Sequence, residues 1–128
     1  MNIKIFKTAS FFGLLAIIFG AFGAHSLKQL LSVDQLNSFE TGVKYQMYHA
    51  LFLLLIGVNN HVEIKTKKII YWLVVIGILF FSGSIYLLST MSISNINFKP
   101  IGFMTPIGGL LLILGWSLLF LHFIKKKQ

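Results

Sequence analysis

The stretch IIYWLVVIGILFFSGSIYLLSTM, residues 69–91, contains no charged side chain. A membrane-crossing helix needs about 20 predominantly apolar residues, so this stretch is long enough to cross the hydrocarbon core of a bilayer. Three further apolar stretches occupy residues 8–25, 43–59 and 106–124. Because lipid offers the backbone no hydrogen-bonding partners, continuous apolar runs of this kind are expected to be helices. The sequence therefore predicts an all-α membrane bundle of four transmembrane helices, in a single domain that covers residues 1–128.

The composition of the whole chain agrees with insertion into a membrane. Of its 128 residues, 56% are hydrophobic and only 11% are charged, whereas about 25% of the residues in soluble domains are charged. The mean hydropathy is +0.84. A soluble domain of this size has too small an interior to bury so much apolar surface, and a disordered chain would contain far less of it. The composition therefore excludes both a soluble domain and a disordered segment.

The 11 basic side chains are all lysines, and they are distributed unevenly between the ends of the predicted helices. Eight of them lie before the first helix, between the second and third, or after the fourth: Lys4, Lys7, Lys65, Lys67, Lys68, Lys125, Lys126 and Lys127. The other loops contain three, namely Lys28, Lys44 and Lys99. The positive-inside rule therefore predicts that both termini are cytoplasmic. Because the chain has no arginine, the residue that reads phosphate and guanine bidentately, we expect no nucleic-acid partner.

Two local patterns predict where helices begin. Ser32 followed by Gln35 is a capping-box pattern, which predicts a helix over residues 33–58. Thr105 is a good N-cap residue, and Pro106 then takes the first helical position, where its missing N–H costs nothing. We therefore expect the fourth helix to begin after Thr105.

Small residues recur on one face of the first predicted helix, at spacings of three and four residues. Membrane helices approach one another closely where such residues meet, because their association in lipid depends on packing. We predict seven helix-packing positions: Gly13, Ala16, Gly20 and Ala24 in the first helix, Gly83 in the third, and Gly108 and Gly109 in the fourth.

Polar side chains concentrate toward the outer half of the predicted bundle. The candidate outer-half cluster consists of His25, Gln46, His49, Ser82, Ser84, Tyr86 and Thr105. Polar groups that face lipid stay unpaired at a cost of several kcal/mol each, so these side chains should turn inward. We expect His49 to hydrogen-bond a polar group of another helix. Such a cluster is either a functional site or a set of hydrogen bonds that locks the bundle.

The residues that most enzymes need are scarce in this chain. It has no cysteine, which excludes thiol chemistry and iron–sulfur clusters. Its three acidic residues, Asp34, Glu40 and Glu63, lie outside the deep parts of the predicted helices. We therefore expect no enzymatic activity, no catalytic residues and no cofactor. His25 and His49 keep one alternative open, because histidines at membrane depth can bind haem or a metal ion.

Five motifs follow one another along the chain: GAFGAH at 20–25, YQMYHA at 45–50, FSGSIY at 81–86, TPIGG at 105–109 and GW at 115–116. In this order they resemble a family of small multi-pass bacterial membrane proteins of unknown function, which has a related branch of small eukaryotic transmembrane proteins. The resemblance implies a multi-pass protein of the bacterial cell membrane and implies no particular reaction.

Three classes of function remain open from the sequence. The leading class is a non-enzymatic structural, accessory or partner-binding protein, surrounded by the lipid bilayer and associated with another membrane protein or with further copies of itself. The second class is a small transporter or channel that uses the outer-half cluster, as a homo-oligomer because one four-helix bundle is thin for a pore. The third is a haem or metal protein that uses His25 and His49.

Overall fold

A computed structural model describes residues 2–126, and within that range the chain is helical and contains no β-strand. Its four long helices are α1 (Asn2–Phe22), α2 (Val33–Val58), α3 (Ile64–Ser89) and α4 (Met104–Lys125). A π-helical turn, Gly23–Leu27, and a last α-helical turn, Lys28–Leu30, continue α1. Two short helical segments, Met91–Ser94 and Lys99–Ile101, connect α3 to α4. The all-α prediction is confirmed.

The capping box predicted for α2 is present. The backbone N–H of Gln35 donates to Ser32 Oγ over 3.2 Å, and the backbone N–H of Ser32 donates to Gln35 Oε1 over 3.0 Å. These two bonds satisfy N–H groups that the first helical turn leaves without backbone partners. α2 accordingly begins at Val33 and ends at Val58, as the sequence predicts.

The predicted start of α4, at Pro106, is wrong by two residues. The helix begins at Met104, so Thr105 lies inside the first turn and does not cap it. The hydroxyl of Thr105 instead lies 2.5 Å from Ser84 Oγ on α3. Pro106 is tolerated because the first turn of a helix has no intrahelical use for its N–H groups. The Thr105 hydroxyl thus bonds to a neighbouring helix and does not cap its own helix, contrary to what the local sequence pattern predicted.

Successive helices run antiparallel, and α2 and α3 form the central pair of the bundle. α1 packs against α2, and α4 packs against α3. The core at the end that holds the start of α1 includes Ile5, Leu53, Ile56 and Ile70, none of which is more than 2% exposed. A smaller cluster at the opposite end, around Leu27, Leu31 and Phe39, closes the turn between α1 and α2.

Three helical stretches among the described residues are long and apolar enough to cross a membrane: Asn2–Leu30, Ile64–Ser89 and Lys99–Lys125. α2 is not one of them, although its 26 residues equal the length of α3. Polar residues such as Lys44, Gln46 and His49 lower the hydropathy of α2. The composition of the helices by itself therefore supports three of the four predicted spans.

Both ends of the described chain lie at one end of the bundle. Lys67 Nζ, at the start of α3, donates to Asn2 Oδ1 at the start of α1. His122 Nε2, near the end of α4, lies 3.0 Å from the carbonyl oxygen of His61. We call this the basic end, formed by the start of α1, residues 59–68 and the end of α4. Lys127, one of the eight lysines assigned to the cytoplasmic side, lies outside the described residues.

Five of the seven predicted helix-packing positions lie at helix contacts. Gly108 is the tightest, because a Cβ there would collide with the backbone of Phe81 on α3. Ala16 is buried. A Cβ added at Gly13, Gly20 or Gly109 would lie 3.9, 3.4 or 3.5 Å from a side chain of the neighbouring helix. The small residues of α1 and α4 therefore set how closely these helices approach the central pair.

The predictions for Ala24 and Gly83 are wrong. Ala24 is exposed, because the packed face continues from Gly20 through the buried Gly23 and Leu27, and Ala24 lies beside that face. A Cβ at Gly83 would meet no atom of residues 2–126 within 4 Å, because its neighbours Ser82 and Ser84 are the ones directed at α2 and α4. Five close approaches were not predicted, at Gly23, Gly42, Gly57, Gly77 and Gly115.

Candidate functional site

Gln46 links three helices through both ends of its amide. It is 3% exposed, and its Nε2 donates to the carbonyl oxygen of Phe12 on α1 over 2.8 Å. Its Oε1 accepts from the hydroxyl of Tyr86 on α3 over 2.7 Å. The ring of Tyr86 packs on Phe19 and Phe39, with 5.1 Å between ring centroids in both cases. α1, α2 and α3 are therefore joined at one point by buried hydrogen bonds inside an aromatic cluster.

Two serines of α3 bond to opposite neighbours. Ser82 Oγ donates to the carbonyl oxygen of Gly42 on α2 over 2.7 Å. Ser84 Oγ donates to Phe81 O within its own helix over 3.0 Å, which leaves it to accept the hydrogen bond from Thr105 on α4. The central helix α3 is thus tied to α2 on one side and to α4 on the other.

His49 uses both nitrogens of its ring. Nδ1 lies 2.7 Å from the carbonyl oxygen of Tyr45, one turn earlier in α2, so that nitrogen carries the proton. Nε2 then accepts a hydrogen bond from Trp116 Nε1 on α4 over 3.0 Å. The indole also packs on Phe52, with 4.0 Å between ring centroids. His49 therefore has the partner on another helix that the sequence led us to expect, but that partner, Trp116, was not among the predicted residues.

His25 does not join the other candidates. It is exposed on the π-helical turn beyond α1, whereas His49 is buried within α2. His25 is five residues before the end of the first helical stretch and His49 is 16 residues into α2, so they differ in height by about 16 Å at 1.5 Å per residue. Within residues 2–126, no group of three or more His, Asp or Glu side chains could hold a metal ion. The structure does not bring the two histidines together into one site.

The remaining candidates form separate contacts between helices. His49 bonds to Trp116 on α4. Gln46 pairs with Tyr86, Ser84 pairs with Thr105, and Ser82 bonds to a backbone carbonyl. The Gln46 and Ser82 contacts both join α2 to α3, whereas the Ser84 contact joins α3 to α4. The predicted cluster thus consists of hydrogen bonds between helices at several points of the bundle.

Polar contacts at the basic end were missed by the sequence analysis. The hydroxyls of Thr8 on α1 and Tyr71 on α3 lie 2.8 Å apart. Lys67 is only 3% exposed, and its ammonium donates to Gly57 O and Asn2 Oδ1, each over 3.2 Å. Lys67 was predicted only as one of several loop lysines, so its burial and its two hydrogen bonds were not expected. A usable signal exists, since Tyr71 lies four residues after Lys67 and shares its helix face.

The chain was compared with known proteins. Residues 19–109 match a family model described as a protein of unknown function (DUF423). A UPF0382 membrane protein of Staphylococcus saprophyticus is 42% identical over 112 residues, which cover 88% of this chain and 89% of the relative. A UPF0382 membrane protein of Haemophilus influenzae is 34% identical over 128 residues, which cover 100% of this chain and 99% of the relative. No solved structure matches the chain. The chain therefore belongs to the DUF423 family of small bacterial membrane proteins, whose function is unknown.

Proposed function

We propose that the protein crosses the cytoplasmic membrane of the bacterial cell four times, with spans near residues 8–25, 43–59, 69–91 and 106–124. The placement of α2 supports the fourth crossing. This helix lies between α1 and α3, and its polar Gln46 and His49 are buried with partners on other helices. A helix shielded in this way can cross a bilayer without being apolar on every face, because its polar groups do not meet lipid.

The positions of the lysines support a cytoplasmic location of both chain termini. Both ends of the described chain and residues 59–68 meet at the basic end, which is where most of the lysines lie. The positive-inside rule assigns such an end to the cytoplasm.

Single cysteines test this topology, because the natural chain has none. Ser94 and Asn60 are both exposed and lie in loops at opposite ends of the bundle. We expect a membrane-impermeant maleimide to label Ser94→Cys in intact cells and Asn60→Cys only after permeabilisation. Labelling of both variants from the same side would contradict four spans.

We propose further that the protein is a non-enzymatic accessory protein that binds another membrane protein. One observation carries this proposal: the polar atoms that a substrate would need are already used between helices. Gln46 uses both ends of its amide, and His49 uses both ring nitrogens. A transport site binds and releases its substrate in each cycle. Here Gln46 and His49 could bind a substrate only by breaking hydrogen bonds that join the helices.

α4 also exposes large aromatic side chains on its surface, and these support binding to a partner. Trp116, Phe120 and Phe123 are 49%, 66% and 41% exposed on this helix. Aromatic residues of this size dominate the energetics of protein interfaces. α4 packs mainly against α3, and these exposed aromatic residues could meet a second membrane protein.

Photo-cross-linking in living cells tests the accessory role. A benzoylphenylalanine at Phe120 on α4 should give a discrete adduct with a second protein, and the same residue at Leu14, on the exposed face of α1, serves as the matched control. We expect the adduct from Phe120 alone. If Phe120 gives no discrete adduct, or if Leu14 gives the same adduct, binding of a partner at α4 is contradicted.

Ion and solute flux through proteoliposomes tests the transporter alternative. We expect the wild-type protein and the Gln46→Leu variant to be equally inactive. A flux of the wild-type protein that Gln46→Leu abolishes, with the variant still folded, would favour transport over the accessory role.

A further inference from the structure

An apolar groove runs along the exposed side of α3, beginning at the basic end. It has a volume of about 360 Å³ and is lined by Lys68, Ile69, Trp72, Leu73 and Ile76 of α3 and by Leu111 of α4. Lys68 and Trp72 are four residues apart and therefore share one face of the helix. The groove extends over about 12 Å of helix from Lys68 to Ile76, at 1.5 Å per residue.

A second ammonium reaches the same place from another helix. Lys4 of α1 holds its Nζ 4.7 Å from the centre of the Trp72 ring, within the range of a cation–π contact. Lys4 does not itself line the groove, but its ammonium lies beside Trp72, which does, so two lysines flank the groove at the basic end. None of the side chains that line it is acidic.

We propose that this groove binds one anionic phospholipid of the leaflet at the basic end. The acyl chain lies along Ile69, Trp72 and Ile76, and the phosphate of the headgroup lies between the ammonium groups of Lys4 and Lys68. Charge complementarity selects this occupant over a zwitterionic lipid, whose own choline or amine group opposes the two lysines. The inference does not depend on the accessory role, because it concerns a different face and a lipid ligand.

The two tryptophans provide the test. In the Trp116→Phe variant, Trp72 in the groove is the only tryptophan left. The variant is reconstituted in phosphatidylcholine vesicles that contain a small fraction of lipid brominated in the acyl chain, either phosphatidylglycerol or phosphatidylcholine. Bromine quenches tryptophan emission only in contact, so the quenching measures which lipid occupies the groove.

We expect Trp72 to prefer phosphatidylglycerol by about fivefold for each of the two lysines, or about 25-fold in total. The preference should fall close to one in the double variant Lys4→Gln, Lys68→Gln. It should be retained in Lys125→Gln, which removes a charge at the same end but outside the groove. Excess inorganic phosphate should leave it unchanged, because phosphate alone cannot fill the apolar part of the groove.

Equal quenching by the two lipids would overturn the proposal, and so would a preference that survives loss of both lysines or one that inorganic phosphate abolishes. In the reciprocal variant Trp72→Phe, the remaining tryptophan is Trp116 on α4, and we expect its quenching to show no preference between the two lipids. An equal preference for phosphatidylglycerol at Trp116 would indicate a general surface effect and would contradict a specific site. Because Trp116→Phe removes the donor to His49, native mass spectrometry provides a second measurement on the natural chain. It should retain one phosphatidylglycerol molecule from an equimolar lipid mixture, and Lys4→Gln, Lys68→Gln should not.

Discussion

The tie formed by Gln46 and Tyr86 permits a quantitative prediction from a double-mutant cycle. Hydrogen bonds between helices in membranes contribute about 0.6 kcal/mol on average and up to about 1.7 kcal/mol. The bonds of Gln46 measure 2.8 and 2.7 Å and are buried, so we expect a coupling of about 1 kcal/mol between Gln46 and Tyr86. Gln46→Leu removes both bonds and leaves the tyrosine hydroxyl without an acceptor, at a total cost of about 2 kcal/mol.

The second single variant, Tyr86→Phe, should cost about 1 kcal/mol, because it removes one bond and leaves Oε1 of Gln46 unpaired. The double variant should then cost about 2 kcal/mol and not the sum of about 3 kcal/mol, since the shared bond is lost only once. The free energy of unfolding is measured by titrating sodium dodecyl sulfate into mixed micelles. Thr41→Val is the matched control, because the Thr41 hydroxyl bonds only to Asn37 O of its own helix on an exposed side; it should change the stability by less than about 0.5 kcal/mol. A coupling below about 0.3 kcal/mol would refute the tie.

Two further comparisons test other contacts between the helices. Gly108→Ala should clearly lower the unfolding temperature in detergent, because its Cβ would collide with the backbone of α3. Gly83→Ala should be neutral or stabilising by up to about 1 kcal/mol, because alanine has the higher helix propensity. Equal effects of the two substitutions would mean that the backbones of α3 and α4 do not approach closely at Gly108. Lys67→Met should cost about 2 kcal/mol in the free energy of unfolding by sodium dodecyl sulfate, because it removes the charged donor to Gly57 O and Asn2 Oδ1. The exposed Lys65→Met should stay within about 0.5 kcal/mol of the natural chain, and a similar loss in both variants would show that Lys67 acts only as a surface charge.

The sequence by itself determined the class of protein and most of the helical segments. Apolar runs of this length have few alternatives to a membrane helix, because each backbone polar group must find its partner within the segment. The start of α2 was predictable for the same local reason, since Ser32 and Gln35 satisfy the N–H groups of a single turn. The five ordered motifs likewise predicted the family that the comparisons show.

The candidate site was predictable only in part. Burial of Gln46 and His49 followed from the cost of exposing a polar group to lipid. Their partners did not follow, because Phe12 O and Trp116 carry no pattern that distinguishes them from other backbone carbonyls and other interfacial tryptophans.

Which helix faces meet, and at what height along the bundle, could not be predicted from the sequence. Gly23 packs against α2 while its neighbour Ala24 is exposed, and Thr105 bonds to Ser84 of α3 instead of capping α4. Lys67 was an ordinary loop lysine by its position, yet it is buried, because the ends of α1 and α2 close around its ammonium. Each of these outcomes depends on the rotation and axial offset of one helix against another. Those two quantities are set by contacts between residues distant in the sequence, whereas helical periodicity and composition report only on residues within a few turns of one another.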